Sequence, residues 1–267
     1  MTKIIGFAGR KQSGKNTSCN FIMANKLFQY GVCKKASLNK DGNIIVSDLF
    51  GEGVSGLDWI PLTPDYVNTD MLFANFNICK IYAFADPLKE FCINVLGLSY
   101  QQVYGTDADK NSYTHLHWEN MPGVIDPDLY DSCLKNHHGA ALKEFVKRFY
   151  PHDPGSMTAR EVLQFVGTEI FRKMYQNVWI DSVLRKIDND KPELALISDV
   201  RFDDEIKSLQ DKGGIVIGLL RDKLNSNGSH ASENSNFDLC DHVIDNREMD
   251  MDQLTQAVMQ LIGNHIR

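Results

Sequence analysis

Residues 4 to 17 read Ile4-Ile5-Gly6-Phe7-Ala8-Gly9-Arg10-Lys11-Gln12-Ser13-Gly14-Lys15-Asn16-Thr17. An apolar run feeds a glycine-punctuated turn, and the turn opens directly into the helix-patterned stretch Cys19-Asn20-Phe21-Ile22-Met23. A buried strand, a tight loop and a helix in this order aim consecutive backbone N–H groups and the positive end of the helix at one anion. We read the segment as a phosphate-binding loop at the start of an α/β fold. Gly9 and Gly14 permit the tight backbone path, and Lys15 reaches the outer phosphates. Asn16 stands where a hydroxyl residue usually follows the lysine, and Thr17, one place later, is its candidate replacement.

Further apolar strand candidates recur at 78–84, 194–198, 214–220 and 242–245, after the first at 3–8, with helix-patterned stretches between most of them. That alternation predicts a parallel sheet covered by helices on both faces. The 267 residues are read as a single α/β domain, 1–267, interrupted by insertions at about 33–77 and 98–155. In the first insertion, Asp41-Gly42 between Ser37-Leu38 and Ile44-Ile45-Val46 is a two-residue hairpin signal and predicts a small β-ribbon. The second is rich in His, Tyr, Pro and Lys and reads as a lid-like part of a substrate pocket. Asp86-Pro87 opens one helix, Asp203 to Asp211 makes another, and Asp250 begins the last, with Leu254, Val258, Leu261 and Ile262 on one face.

A formal charge of −7 argues against a general nucleic-acid binder, because affinity for a phosphate backbone rests on accumulated Lys and Arg. No apolar run approaches membrane-spanning length and the N-terminus shows no signal-peptide pattern, so a soluble, cytoplasmic protein is expected. The six cysteines have no metal spacing and read as free thiols.

In an open parallel sheet, ligands sit beyond the carboxyl ends of the strands. The residues that follow the strands are the phosphate loop, Phe84-Ala85-Asp86-Pro87-Leu88-Lys89, Ser198-Asp199-Val200-Arg201-Phe202 and Arg221-Asp222. Asp199 is a candidate ligand for Mg²⁺ or substrate, or an N-cap for the helix at 203. Arg201 can stabilise charge on a transferred phosphoryl group, or form a surface pair with Asp199. Thr158-Ala159-Arg160-Glu161 reads as a capping box before Val162, Leu163, Val166, Ile170, Phe171 and Met174 at helical spacing. Arg160 then sits in a first turn, where the helix dipole disfavours a cation, unless a bound phosphate shares the site. Gly167-Thr168 inside that helix leaves room for the close approach of a ligand. Trp179 is either core or a base-stacking platform. The histidines His115, His117, His137 and His138 lack a metal ligand set, and Ser229-His230 with Ser232-Glu233 reads as a nucleotide or lid contact.

With these residues in place, the chain resembles the deoxynucleoside monophosphate kinases of tailed bacteriophages. The matching stretches are Gly9 to Thr17, Phe84 to Glu90, Tyr104 to Lys110, Met157 to Arg160 through Gly167-Thr168, Asp199 to Phe202, and Ser229-His230 with Ser232-Glu233. The resemblance implies a nucleoside-monophosphate-kinase-like fold and transfer of the ATP γ-phosphoryl group to a deoxynucleoside monophosphate, with Mg²⁺ and a homodimer. It gives the donor phosphates to the loop residues Gly9, Gln12, Ser13, Gly14, Lys15, Asn16 and Thr17. It gives the acceptor to Lys11, Leu88, Lys89, Lys110, Arg160, Gly167, Thr168, Trp179, Arg201 and Glu205. The catalytic candidates are Lys15, Arg160, Asp199 and Arg201, and the Mg²⁺ candidates Thr17 and Asp199. Gln12 and Lys110 stand where an arginine can occur in relatives. A phosphomevalonate-kinase-like enzyme shares the strand, Ser-Glu and final-helix pattern, and a non-catalytic nucleotide-binding module is the competing class.

Overall fold

A computed structural model describes residues 2–49, 60–62, 77–122, 154–221 and 237–263. They fall into two compact units, one from Met1–Ala85 with Trp179–Arg267 and the other from Asp86–Val178. In chain order the elements are β1 (Lys3–Ala8), α1 (Lys15–Gln29), β2 (Cys33–Leu38), β3 (Ile44–Leu49), β4 (Ile60–Pro61), β5 (Cys79–Tyr82), α2 (Asp86–Asn94), α3 (Tyr100–Tyr104) and α4 (Asp107–Lys110). They continue with β6 (Tyr113–His117), β7 (Ser156–Thr158), α5 (Ala159–Gln164), a π-helical run Phe165–Arg172, α6 (Val178–Asp190), β8 (Leu194–Val200), α7 (Asp203–Asp211), β9 (Ile215–Leu220), β10 (His242–Asp245) and α8 (Met251–Ile262).

The first unit is built on five strands in the order β10, β9, β1, β8, β5, each parallel to its neighbours. β1 lies at the centre, and every residue from Ile4 to Ala8 is buried, as a strand covered on both faces requires. Its alternating side chains feed two cores. Ile5 and Phe7 pack with Cys19, Ile22 and Met23 of α1 and with Leu254, Val258 and Ile262 of α8. Ile4 and Ala8 pack with Ile180, Val183 and Ile187 of α6 and with Ile206 and Leu209 of α7. The period-2 alternation of one strand therefore places helices on both faces of the sheet.

The expected β-ribbon forms as β2 paired antiparallel with β3, and β4 adds to β3. Its turn is wider than the sequence suggested. Leu38 pairs with Ile44, so residues 39–43 separate the strands. The Asn39 side-chain oxygen accepts from the backbone N–H groups of Asp41 and Asn43 at 2.9 and 3.0 Å, and this organises the longer loop.

The second unit has its own core of Cys92, Leu98, Val103, Trp118, Met157, Ala159, Val162 and Val166. Here the helix that opens at Ala159 is α-helical for only six residues before it widens into the π-helical run. A π turn holds more residues than an α turn, so the apolar spacing drifts, and Met174, expected on the buried face, is 76% exposed.

Parts of both insertions, residues 50–59, 63–76 and 123–153, lie outside the described residues, as does 222–236 with Ser229-His230 and Ser232-Glu233. Cys133, His137, His138 and Asp222 fall there too. Among the described residues, no helix is long and apolar enough to cross a membrane.

Candidate functional site

The loop between β1 and α1 is held in conformations that its residues were chosen to allow. Gly9 and Gly14 take φ of +149° and +99°, and Gln12, a non-glycine residue, takes +64°. Gly14 is the N-cap of α1, so no side chain caps the first N–H groups, and the first turn carries no acidic residue. The start of α1 is left electropositive. Lys15, only 7% exposed, folds back over the loop. Its ammonium donates to the carbonyl oxygens of Gly9 and Arg10, both at 2.6 Å, and approaches Ser13 Oγ at 3.5 Å.

Burial pushes the Lys15 pKa down to about 8, the positive charge of Arg201 pushes it the same way, and the Asp199 carboxylate opposes them. These three residues are brought together at the carboxyl end of β1 and β8. Among the described residues, the Arg201 guanidinium has no hydrogen-bond or ion-pair partner. Lys15 and Arg201 thus stand near the Asp199 carboxylate, while the buried Glu205 carboxylate is held by the backbone N–H groups of Arg201 and Phe202.

Asp199 is also a brace, because its two oxygens accept from Phe84 N at 2.7 Å and Ala85 N at 3.0 Å, tying the end of β8 to the end of β5. Asp199 does not cap the helix at 203: Phe202 holds the N-cap position, Asp204 Oδ1 accepts from Glu205 N at 3.0 Å, and Glu205 reaches back to the N–H groups before the helix. That residue is 2% exposed, and its Oε2 accepts from Arg201 N at 2.7 Å and Phe202 N at 3.0 Å at the start of α7. Thr17 lies against the hairpin, where a Cβ on Gly42 would come within 2.7 Å of Thr17 Oγ1. Asn20 donates to the Gly42 carbonyl at 2.9 Å, so the inserted ribbon is fastened to α1. Lys11, Gln12 and Asn16 are exposed, and Trp179 is buried at 7% exposure, which gives it the character of a packed ring more than of an open platform.

In the second unit the capping box is present as expected. Thr158 N donates to Glu161 Oε2 at 2.8 Å and Glu161 N to Thr158 Oγ1 at 3.3 Å, while Ala159 N donates to the Ser112 carbonyl at 3.0 Å. The first-turn N–H groups that a shared phosphate would use are therefore largely occupied by the chain itself. Arg160 turns to α4 and its border, with Nε on Asn111 Oδ1 and Nη2 on Asp107 Oδ1, both at 2.9 Å. Lys110 ends the same short helix as Asp107. Lys89 sits 3.3 Å from Asp86 Oδ1 and 4.5 Å over the ring of Tyr104. Gly167 has a packing reason: a Cβ there would lie 2.6 Å from Leu88 Cδ2. Thr168 is exposed.

Sequence reasoning missed Asn246, the residue directly after β10. Its side-chain Nδ2 donates to the Ser13 carbonyl of the loop between β1 and α1 at 2.9 Å. The rule that singled out the residues following the other strands would have found it, had it been applied to this strand as well.

The family model for deoxynucleotide monophosphate kinase matches residues 126–258. A protein of Acanthamoeba polyphaga mimivirus named "Putative deoxynucleotide monophosphate kinase" is 25% identical over 166 residues, 57% of this chain and 65% of that protein. The deoxynucleoside-5'-monophosphate kinase of Escherichia phage T5 is 36% identical over 56 residues, 21% of this chain and 22% of that protein. The chain thus spans less than two thirds of the length of either relative.

Proposed function

From the premise that this chain belongs to the deoxynucleotide monophosphate kinase family, we propose that it transfers the γ-phosphoryl group of ATP to a deoxynucleoside 5'-monophosphate, yielding the diphosphate. The observation that carries the proposal is the gathering of buried Lys15, Arg201 and Asp199 at the loop that leads into the uncapped start of α1. Like charges held together inside a phosphate loop cost stability unless an anion joins them. A polyphosphate is the anion that the uncapped start of α1 accommodates.

In this reading, the loop residues Gly9 and Gln12 to Thr17 bind the donor phosphates. Lys15 releases its loop carbonyls to follow the γ-phosphoryl group, and Arg201 holds charge that builds on it. The resemblance assigns the acceptor to Lys11, Trp179, Arg201 and Glu205 and to Leu88, Lys89, Lys110, Arg160, Gly167 and Thr168, and we keep these residues as its candidates. Buried Gly167 and half-buried Leu88 contribute to the acceptor side by packing, and so does buried Trp179, whereas Lys89, Lys110 and Arg160 supply positive charge. Such chemistry needs alignment and charge screening more than covalent work, and the acceptor phosphate is already ionised near neutral pH, so no general base is required.

Asp199 offers the hard carboxylate oxygen that Mg²⁺ takes, while the Thr17 hydroxyl packs on Gly42, so Asp199 is the protein ligand that fits. Bound there with the nucleotide phosphates, the metal would neutralise part of their charge. The family resemblance also leads us to propose a homodimer, which sedimentation velocity reads directly.

A coupled assay of ADP release tests the activity, with dAMP, dGMP, dCMP and dTMP, mevalonate 5-phosphate and buffer alone as arms. ADP release above buffer with at least one deoxynucleotide is the expected result. Release with mevalonate 5-phosphate alone would transfer the assignment to that acceptor, and equal release in every arm would leave no kinase.

A further inference from the structure

Asn246 is fully buried, yet only half of its amide is bonded. Nδ2 donates to Ser13 O at 2.9 Å across 233 residues of sequence, whereas Oδ1 has no hydrogen-bond partner among the described residues. The backbone of Asn246 is itself fixed, its N–H donating to the Leu220 carbonyl at 3.0 Å at the end of the neighbouring strand β9. A buried, unbonded acceptor costs stability, so folding alone favours an apolar residue at this position.

What the asparagine does is orient one peptide. The unit linking Ser13 to Gly14 is planar and trans, so its carbonyl and its N–H point in opposite directions. Drawing the Ser13 carbonyl toward Asn246 turns the Gly14 N–H away from Asn246. Gly14 has no Cβ and takes φ of +99°, so its own conformation does little to hold that plane. The amide is also close beside it: a Cβ on Gly14 would lie 3.7 Å from Asn246 Nδ2. Gly14 is the N-cap of the helix whose first N–H groups no side chain serves.

We propose that Asn246 is a positioning residue for the phosphoryl donor, its amide pinning the Ser13–Gly14 peptide so that the Gly14 N–H is preset for a phosphate oxygen. The inference rests on the donor assignment made above. It distinguishes Asn246 from residues that touch substrate, since it acts only through the loop.

The test compares wild type with Asn246→Leu, which keeps the shape and removes both the tether and the unbonded oxygen, and with Asn246→Asp, which sets an oxygen against the Ser13 carbonyl. Titration calorimetry with ATP and, separately, with a deoxynucleoside monophosphate is read beside the melting temperature and the two KM values. ATP affinity should fall about tenfold in Asn246→Leu and further in Asn246→Asp. The deoxynucleotide affinity and its KM should stay within about twofold, and Asn246→Leu should melt within a few degrees of wild type because the lost bond and the removed orphan oxygen offset each other. Should the leucine variant fail to fold, Asn246→Ser, which loses the tether without overpacking, is read in the same way. Unchanged ATP affinity in a folded variant overturns the inference and leaves the kinase reading standing. Wild-type protein that binds no ATP overturns both.

Discussion

Two helices of this molecule begin in opposite ways. In the first unit, α1 starts at Gly14, with no side-chain cap, no acidic residue in its first turn and a buried lysine as its first residue. In the second unit, α5 starts at Thr158 with a complete capping box, and its arginine reaches sideways to Asp107 and Asn111. A helix end that satisfies its own N–H groups has little left for a ligand, and one that leaves them open is a standing anion site. The two cations differ accordingly. Lys15 is desolvated and held beside another positive charge, whereas Arg160 has a 42% exposed side chain paired with a 60% exposed aspartate. The difference points to a transition-state role for Lys15 and a ground-state grip for Arg160.

Removing each cation is the sharpest way to break this contrast. Lys15→Ala should lower kcat by hundreds-fold, about 3–4 kcal/mol of lost transition-state stabilisation, while circular dichroism and melting show an intact fold. Near-wild-type turnover of the folded variant would remove the distinction between the two helix starts. Gly167→Ala comes next, since its new methyl would meet Leu88 Cδ2 at 2.6 Å; half-buried Leu88 can turn part of the way aside, so thermal unfolding should show about 1 kcal/mol of destabilisation. If Gly167→Ala melts like wild type but loses deoxynucleotide affinity, a ligand and not Leu88 explains the glycine.

Arg160→Lys keeps the charge but loses the fork that engages Asp107 and Asn111 together. It should raise the KM for the deoxynucleotide several-fold and leave that for ATP unchanged. A rise in the ATP KM instead would place Arg160 on the donor side. The smallest effect belongs to Thr158→Ala, which removes a cap worth about 1 kcal/mol of stability without altering the Kd for ATP. A change in ATP affinity there would mean that the second helix start also serves the donor.

Much of this was legible in the sequence, and the parts that were not share a cause. The strands at 3–8 and 242–245 stand where the apolar runs put them, and the others differ only at their ends, because burial on both faces leaves a local signature. The loop glycines and the capping box at Thr158 were equally local. The hairpin turn was misjudged because the Asn39 side chain competes with the tight Asp41-Gly42 turn. Met174 was misplaced because the π-helical run shifts the period. The brace from Asp199 to residues 84–85 and the tether from Asn246 to Ser13 join residues far apart in the chain, and no spacing rule reports such pairs. Gly167 kept its ligand reading in the sequence because nothing local reveals that Leu88 fills the space above it.

In the proposed function Lys15 is a buried cation awaiting a polyanion, and proton uptake on ATP binding reads that state. With a pKa of about 8 in the free protein, Lys15 is mostly neutral at about pH 9; bound phosphates would raise that pKa and draw a proton on, since the bound form holds more protons than the free form above pH 8. Calorimetric titration of ATP at about pH 9, in buffers of different ionisation enthalpy, should therefore show uptake of about one proton in wild type, and none in Lys15→Met. ATP binding by the wild-type protein with no proton uptake at that pH would mean that the bound phosphates do not engage Lys15.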